Sequence, residues 1–411
     1  MRNRQLDAYI WDKDLIADKM IFLSGPRQIG KTTWAKAQLN PDTYSNYYNW
    51  DNPVTRKLYR ENPLFLLTNA SPGEITVFDE IHKRTNWKDI LKGIYDSIDP
   101  AIRLIITGSA RLEWFRKSGD SLIGRYSHFH LFPWSLSELC NASFSNLWLC
   151  SESDWKDPIE SLMSKLDGVT VLKEKKEIID DLLHYSGFPE PFEMQSSRFT
   201  KKWHSDYLSL ILTEDLRDLT NIKDINRMES ITALLPSRIG SPLSVNSFAH
   251  DIETDHHTLQ NSFKQLEKLW LIFSLSPWHK KLHRALKKEK KSYFVNWMFC
   301  KEPAARFENF IAVQLLRACT ILNDCGFGNA ELWYIRTFDK TECDFLITLD
   351  DTPAILLDAK MQDTTISRRH HTLSDTMGIP FIQIINLSGV YKKVAKNRIV
   401  LSADRFLSVL P

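Results

Sequence analysis

The chain has 411 residues, 43% of them hydrophobic and 25% charged, and a formal net charge of only +2. That composition is ordinary for a folded protein and leaves room for two to four domains with a sizeable core. It excludes a global charge argument for nucleic-acid binding, so any basic surface has to be local. No signal peptide is evident, and no uncharged apolar run is long enough to cross a bilayer, so a cytoplasmic protein without membrane contact is expected. Six cysteines (Cys140, Cys150, Cys300, Cys319, Cys325, Cys343) form no C-x-x-C pair and no zinc-like spacing, which reads as reduced, mostly buried thiols. The 13 tryptophans are scattered, as packing residues are.

Taken in chain order, the first chemistry lies at Met20–Ser24, a short apolar run with the character of a buried parallel strand. Gly25-Pro26-Arg27-Gln28-Ile29-Gly30-Lys31-Thr32 follows and fits G-x-x-x-x-G-K-[S/T]. The glycines let backbone N–H groups wrap a phosphate, Lys31 reaches the β- and γ-phosphates, and the Thr32 hydroxyl ligates Mg²⁺. Thr33 to Leu39 is a good helix former, so strand, loop and helix place an anion at a helix N-terminus. ATP and Mg²⁺ are the expected cofactors, with Thr33 and Thr107 added to the loop residues as nucleotide contacts.

Ile75-Thr76-Val77-Phe78 is a second apolar strand, ending in Asp79-Glu80. Asp79 at the strand end can hold Mg²⁺, and Glu80 can orient and deprotonate an attacking water, which favours hydrolysis over nucleotide storage. Arg103–Thr107 is a third buried strand, placing Thr107 or Ser109 to sense the γ-phosphate. Arg125 is either a transition-state arginine, within the chain or toward a neighbouring subunit, or an ordinary ion-pair residue.

From Leu147 the pattern turns helical, with an amphipathic helix over Lys173–His184 and a longer one over Phe199–Leu219. Between Ile225 and Trp297 the order helix, turn, helix, strand is that of a winged helix-turn-helix. His257, Thr258, Gln260, Asn261 and Lys264 then fall on or near the exposed face of the recognition helix. The run from His279 to Lys291 adds a dense basic patch that either contacts phosphates or is simply a solvated face.

The C-terminal part carries a second constellation. Two strands, Glu342–Ile347 and Ala354–Lys360, are joined by an Asp350-Asp351-Thr352-Pro353 turn. A hairpin of that length brings Asp344 near Asp358, and Lys360 shares a face with Asp358. Two carboxylates and a lysine can bind Mg²⁺ and activate water against a phosphodiester, with Glu308 from the preceding helix completing the metal site.

These residues carry two resemblances. The Gly25–Thr32 loop, the Phe78-Asp79-Glu80-Ile81 box, Ile106–Ser109 and the Gly124-Arg125…Pro133…Ser135…Glu138 tail resemble prokaryotic AAA+-type ATPases. More narrowly, with Gly187-Phe188-Pro189-Glu190 and Leu212–Leu216, they resemble the group whose C-terminal domain is nuclease-like. Asp344 and Asp358-Ala359-Lys360, with Glu308, resemble the PD-(D/E)xK nuclease core, although Cys343 stands where that pattern has proline. The resemblances imply an α/β protein in four parts. These are a P-loop NTPase domain with a parallel sheet (1–145), a helical lid or linker (146–224), a winged helix-turn-helix (225–297) and a restriction-endonuclease-like domain (298–411). The function expected is an ATP-dependent or ATP-regulated DNA-processing enzyme with DNA as partner, in defence or mobile-element biology, with a homo-oligomer or a protein partner as further options. The alternative is a nucleotide-controlled switch that binds DNA or protein and whose nuclease fold is catalytically silent. A small-molecule kinase ranks last, because it leaves the C-terminal half without a role.

Overall fold

The computed structural model describes residues 3–39, 46–63, 65, 70–84, 86–108, 122–169, 173–219, 225–279 and 289–411. Ser109 and most of the basic run, 280–288, lie outside the described residues. The chain divides into two compact units: Leu6–Phe132 with Lys268–Trp270, and the remainder, which includes Met1–Gln5.

In the first unit β1 (Met20–Ser24), β2 (Tyr47–Asn49), β3 (Ile75–Asp79), β4 (Arg103–Thr107) and β5 (Tyr126–His130) form a five-stranded sheet in the order β2-β3-β4-β1-β5. Every pairing is parallel. Every residue of β1 is buried, as expected of a strand paired on both edges and covered on both faces. Phe22, Phe78, Leu104 and Ile106 pack against Trp87, Leu91 and Ile94 of the helix Trp87–Ser97 to form one core. Because all strands run the same way, β1, β3 and β4 deliver their C-terminal residues to one edge of the sheet, which is where ligands gather in such folds. The phosphate loop leaves β1 at that edge, and α1 (Lys31–Ala37) follows it.

The first unit ends at Phe132. Trp134 already donates its backbone N–H to the Gly187 carbonyl, and Ser137 donates its hydroxyl to the Leu410 carbonyl, so this stretch belongs to the second unit. Glu138 is an anchor there. Its carboxylate accepts from the Arg4 guanidinium at 3.2 Å and the Gln5 backbone N–H at 3.1 Å, and lies 3.4 Å from Arg317, all buried. Ser135 and Glu138 also close a reciprocal capping box on the short helix between them.

The second unit holds two further sheets among the described residues. A small one, β6-β8-β7, joins β6 (Pro242–Leu243), β7 (Ile272–Leu275) and β8 (Lys290–Phe294) in antiparallel pairs. The helices Ile225–Leu234, Val245–Asp251 and His256–Lys268 precede β7, with Ser244 capping the second through the Ser247 N–H. The large sheet has the order β13-β14-β12-β11-β10-β9. Its strands are β9 (Ala330–Arg336), β10 (Glu342–Leu349), β11 (Thr352–Lys360), β12 (Phe381–Ile385), β13 (Tyr391–Ala395) and β14 (Arg398–Ser402). β9, β10 and β11 are antiparallel neighbours, whereas β11, β12 and β14 run parallel. Helix α2 (Pro303–Asp324) packs on β9 and β11 through a buried face that includes Phe307, Phe310 and Ile311.

Candidate functional site

At the edge of the parallel sheet the Thr32 hydroxyl donates to Asp79 Oδ2 at 2.7 Å, and the Thr107 hydroxyl donates to Asp79 Oδ1. Asp79 and Thr107 are buried. β4 lies between β1 and β3, so the strand order itself puts the Thr107 hydroxyl on the same carboxylate that faces the phosphate loop. Lys31 is buried and folds back on its own loop, donating to the Gly25 and Pro26 carbonyls at 2.9 and 2.6 Å. Gly25 has φ +148, and a Cβ there would stand 2.2 Å from the Leu131 carbonyl oxygen, so only glycine fits. Gln28 (φ 59) and Gly30 (φ 97) supply the other left-handed turns of the loop.

Glu80 leaves the β3 strand with φ 59, a conformation that is uncommon outside glycine and tends to mark functional positions. Its Oε2 lies 3.4 Å from His82 Nε2 and 3.5 Å from Lys83 Nζ. Burial, and after it the charge of Asp79, raises the Glu80 carboxyl above its ordinary value, with Lys83 and Lys31 acting in the opposite sense. A carboxylate shifted that way is better matched to accepting a proton near neutral pH.

One residue of this site has no motif in the sequence. The Tyr47 hydroxyl donates to Asp79 Oδ2 at 2.6 Å, and burial together with Asp79 pushes the phenol up, keeping it a neutral donor. Its only signal was position at the start of a three-residue strand. Arg125 is placed elsewhere. It directly precedes β5, its carbonyl accepts from the Met20 N–H, and its side chain pairs with Asp96 at 2.9 Å. That is the sheet edge opposite the phosphate loop, so of the two roles within one chain the structure gives it the ion pair.

In the second unit, β10 and β11 pair with Phe345 opposite Leu357, which sets Asp344 beside Asp358. Lys360 Nζ lies 2.8 Å from Asp358 Oδ2 and 3.8 Å from Asp344 Oδ2. Asp344 also accepts the Ala359 backbone N–H at 3.3 Å. Glu308 on α2 reaches the same group, accepting from the Tyr293 hydroxyl at 2.9 Å, and the Gly240 backbone lies close against its carboxylate.

The sequence reading missed what fills the middle. Lys291, fully buried, stands 2.6 Å from Glu342 Oε1, 3.2 Å from Asp344 Oδ1 and 3.9 Å from Glu308 Oε1. The expectation that Lys291 belongs to an exposed basic patch is therefore corrected. Side chains alternate along a strand, so Lys290 faces solvent while Lys291 and Tyr293 face the acidic cluster together. His370 adds an edge, its Nε2 on the Glu342 carbonyl at 2.9 Å and its Nδ1 3.9 Å from Asp358.

Burial and the neighbouring Asp344 raise both Glu308 and Asp358. Burial alone would also raise Asp344, but Lys291, and after it Asp358 and Lys360, hold it low. Among the described residues no group of three or more His, Cys, Asp or Glu side chains is arranged to hold a metal ion. The oxygens of Glu308, Asp344 and Asp358 have the hard-donor chemistry of a Mg²⁺ site, but the Lys291 ammonium stands among them.

On the helix His256–Lys268, His257, Gln260, Asn261 and Lys264 are exposed and Thr258 is half-buried, whereas Leu259 and Leu266 are buried.

A parallel sheet with a phosphate loop after β1 and a Thr–Asp–Thr contact beside it defines a P-loop nucleotide-binding domain, and residues 17–140 match the family described as AAA domain. Residues 176–297 match a domain of unknown function, DUF8612, which spans both the helical segment and the small sheet. The chain is 21% identical over 371 residues to the uncharacterized protein MJ1544 of Methanocaldococcus jannaschii, covering 86% of this chain and 78% of that protein. It is 26% identical over 309 residues to MJ1637 of the same organism, covering 69% and 62%. Against Rv2008c of Mycobacterium tuberculosis it is 21% identical, covering 67% of this chain and 53% of that protein. The matched stretch is thus less than two thirds of the length of these last two relatives. Among solved structures, a single-substitution variant of Thermotoga maritima RuvB is 18% identical with a TM-score of 0.28, covering 66% of this chain and 88% of that one. The Aeropyrum pernix ORC1 protein in complex with DNA is 14% identical with a TM-score of 0.31, covering 72% and 88%. The AAA-type assignment rests on the loop, the strand order and the family match over 17–140.

Proposed function

We propose that the chain hydrolyses ATP in its first unit and acts on nucleic acid through its second, with the cluster of Asp344, Asp358, Lys360 and Glu308 as a phosphodiester-cleaving centre. The observation that carries the ATPase half is the Thr32 hydroxyl resting on Asp79 with Glu80 next in the chain. Thr32 and Asp79 are the residues that would hold Mg²⁺, and bound Mg²⁺ would bridge and neutralise phosphate oxygens. Lys31 would exchange its two carbonyl acceptors for phosphate oxygens, Glu80 would take the proton of the attacking water, and Thr107 would fix Asp79. Glu308, Asp344 and Asp358 would hold a second divalent ion, with Lys360 orienting the nucleophile. The helices and small sheet between Ile225 and Phe294 follow the order of a winged helix-turn-helix, with His257, Gln260, Asn261 and Lys264 on the face that would meet DNA.

The test is ATP turnover and cleavage of plasmid and single-stranded DNA in Mg²⁺ or Mn²⁺, comparing wild type with Lys31→Ala, Asp358→Asn and Lys360→Ala. Lys31→Ala should lower ATP turnover by about two to three orders of magnitude, the usual loss when one aimed donor is removed. Asp358→Asn and Lys360→Ala should abolish cleavage and leave ATP turnover intact. Cleavage that survives both substitutions would remove the nuclease half of the reading. The buried Lys291 favours a second reading, in which the nucleotide controls binding and the cluster is silent. ATP turnover with every DNA substrate left whole would select it.

A further inference from the structure

We propose that Lys291 is an autoinhibitory cation, placed by β8 among the carboxylates of the second unit, and that a divalent metal must displace it to enter. This rests on reading that cluster as a metal-dependent centre. A divalent ion bound by carboxylate oxygens sits about 2.0–2.6 Å from them. The Lys291 ammonium is already 2.6 Å from Glu342, 3.2 Å from Asp344 and 3.9 Å from Glu308, so the two cations compete for one space. Asp344 makes the competition specific. Its Oδ1 faces Lys291 while its Oδ2 faces Lys360 and the Ala359 N–H, so both oxygens are engaged.

The placement is fixed by the strand. Lys291 is paired with Leu275 on β7 and Pro242 on β6, which makes β8 the central strand of the small sheet. Tyr293, two residues on and facing the same way, donates to Glu308. A fully buried lysine is costly unless paired, and the carboxylates around Lys291 supply that pairing. The small sheet therefore presents a lysine and a tyrosine to the acidic cluster. Withdrawing the lysine is the step that readies the site.

The experiment uses the full chain without nucleotide and reads Lys291 directly. Reductive methylation of Lys291, followed by mass spectrometry, is compared with and without Mn²⁺, alongside Mn²⁺ affinity measured by electron paramagnetic resonance for wild type, Lys291→Met and Asp344→Asn. Mn²⁺ should raise Lys291 labelling at least tenfold, and Lys291→Met should bind Mn²⁺ at least tenfold more tightly than wild type. Binding seen only in Lys291→Met also supports the proposal, because the lysine then excludes the metal outright. Mn²⁺ binding lost in Asp344→Asn while Lys291 stays protected in wild type would overturn it and leave the metal site standing. If neither wild type nor Lys291→Met binds Mn²⁺ through Asp344, both the inhibition and the metal-dependent reading fall. Labelling of wild type needs no substitution, so a Lys291→Met chain that fails to fold leaves the test decisive.

Discussion

Gly25 shows how tightly the phosphate loop is specified. Its φ and the 2.2 Å approach of the Leu131 carbonyl leave no space for a side chain. Gly25→Ala should therefore destabilise the first unit by about 2–4 kcal/mol, combining backbone strain with overlap. The expected readout is a lower urea midpoint together with lost nucleotide binding; an unchanged midpoint would mean that the loop has another conformation. The same scale explains which site residues could be read from the sequence. Lys31, Thr32 and Asp79 announce themselves because their spacing is imposed by the loop and the strand end. Tyr47 does not, since its contact with Asp79 crosses from β2 to β3. Lys291 was misread for a similar reason: a lysine inside a run of lysines looks solvated until its strand is paired and its face is known.

Elements carry their own consequences. The long helical stretch expected over Phe199–Leu219 is observed as an α-helix over Ser197–Leu210 that continues through a π-helical turn at Ile211–Asp215. His204 lies on it against Trp203 and Phe299, and its Nε2 is buried without a hydrogen-bond partner among the described residues. Burial, and then the charge of Arg306, lower its imidazole to about 4. A base whose folded value is depressed opposes protonation, so stability is full above the unfolded value near 6.5 and is lost as pH falls toward about 4. The loss from this one group should be roughly 3 kcal/mol when the descent is complete. His204→Phe should remove that share of the acid sensitivity, measured as the difference in urea midpoint between neutral and acidic buffer. An unaltered pH slope would show that His204 is solvated.

Across the second unit, residues far apart in the chain converge on a single carboxylate. Glu138 joins Arg4, Gln5 and Arg317 in a buried cluster. Removing one member leaves uncompensated buried charge, so Glu138→Ala should cost this unit about 3–5 kcal/mol. Calorimetry should show the loss in the transition of this unit, with ATP binding by the first unit preserved. Loss of ATP binding in Glu138→Ala would place the residue in the nucleotide site instead. Among the described residues no helix is long and apolar enough to cross a membrane.

By itself the sequence determined the local grammar: apolar runs that become buried strands, a phosphate loop whose glycines dictate its turns, and a hairpin that sets Asp344 beside Asp358. These features depend on spacing within a few residues or across one tight turn, so they are written in the chain. Only the tertiary structure decided that Tyr47 rests on Asp79, that Arg125 stands at the far edge of its sheet, and that Glu138 anchors a buried charge cluster. It alone placed Lys291 among Glu308, Glu342 and Asp344. Those outcomes depend on strand order and on which face of each strand is turned inward, and both are fixed when distant segments pair.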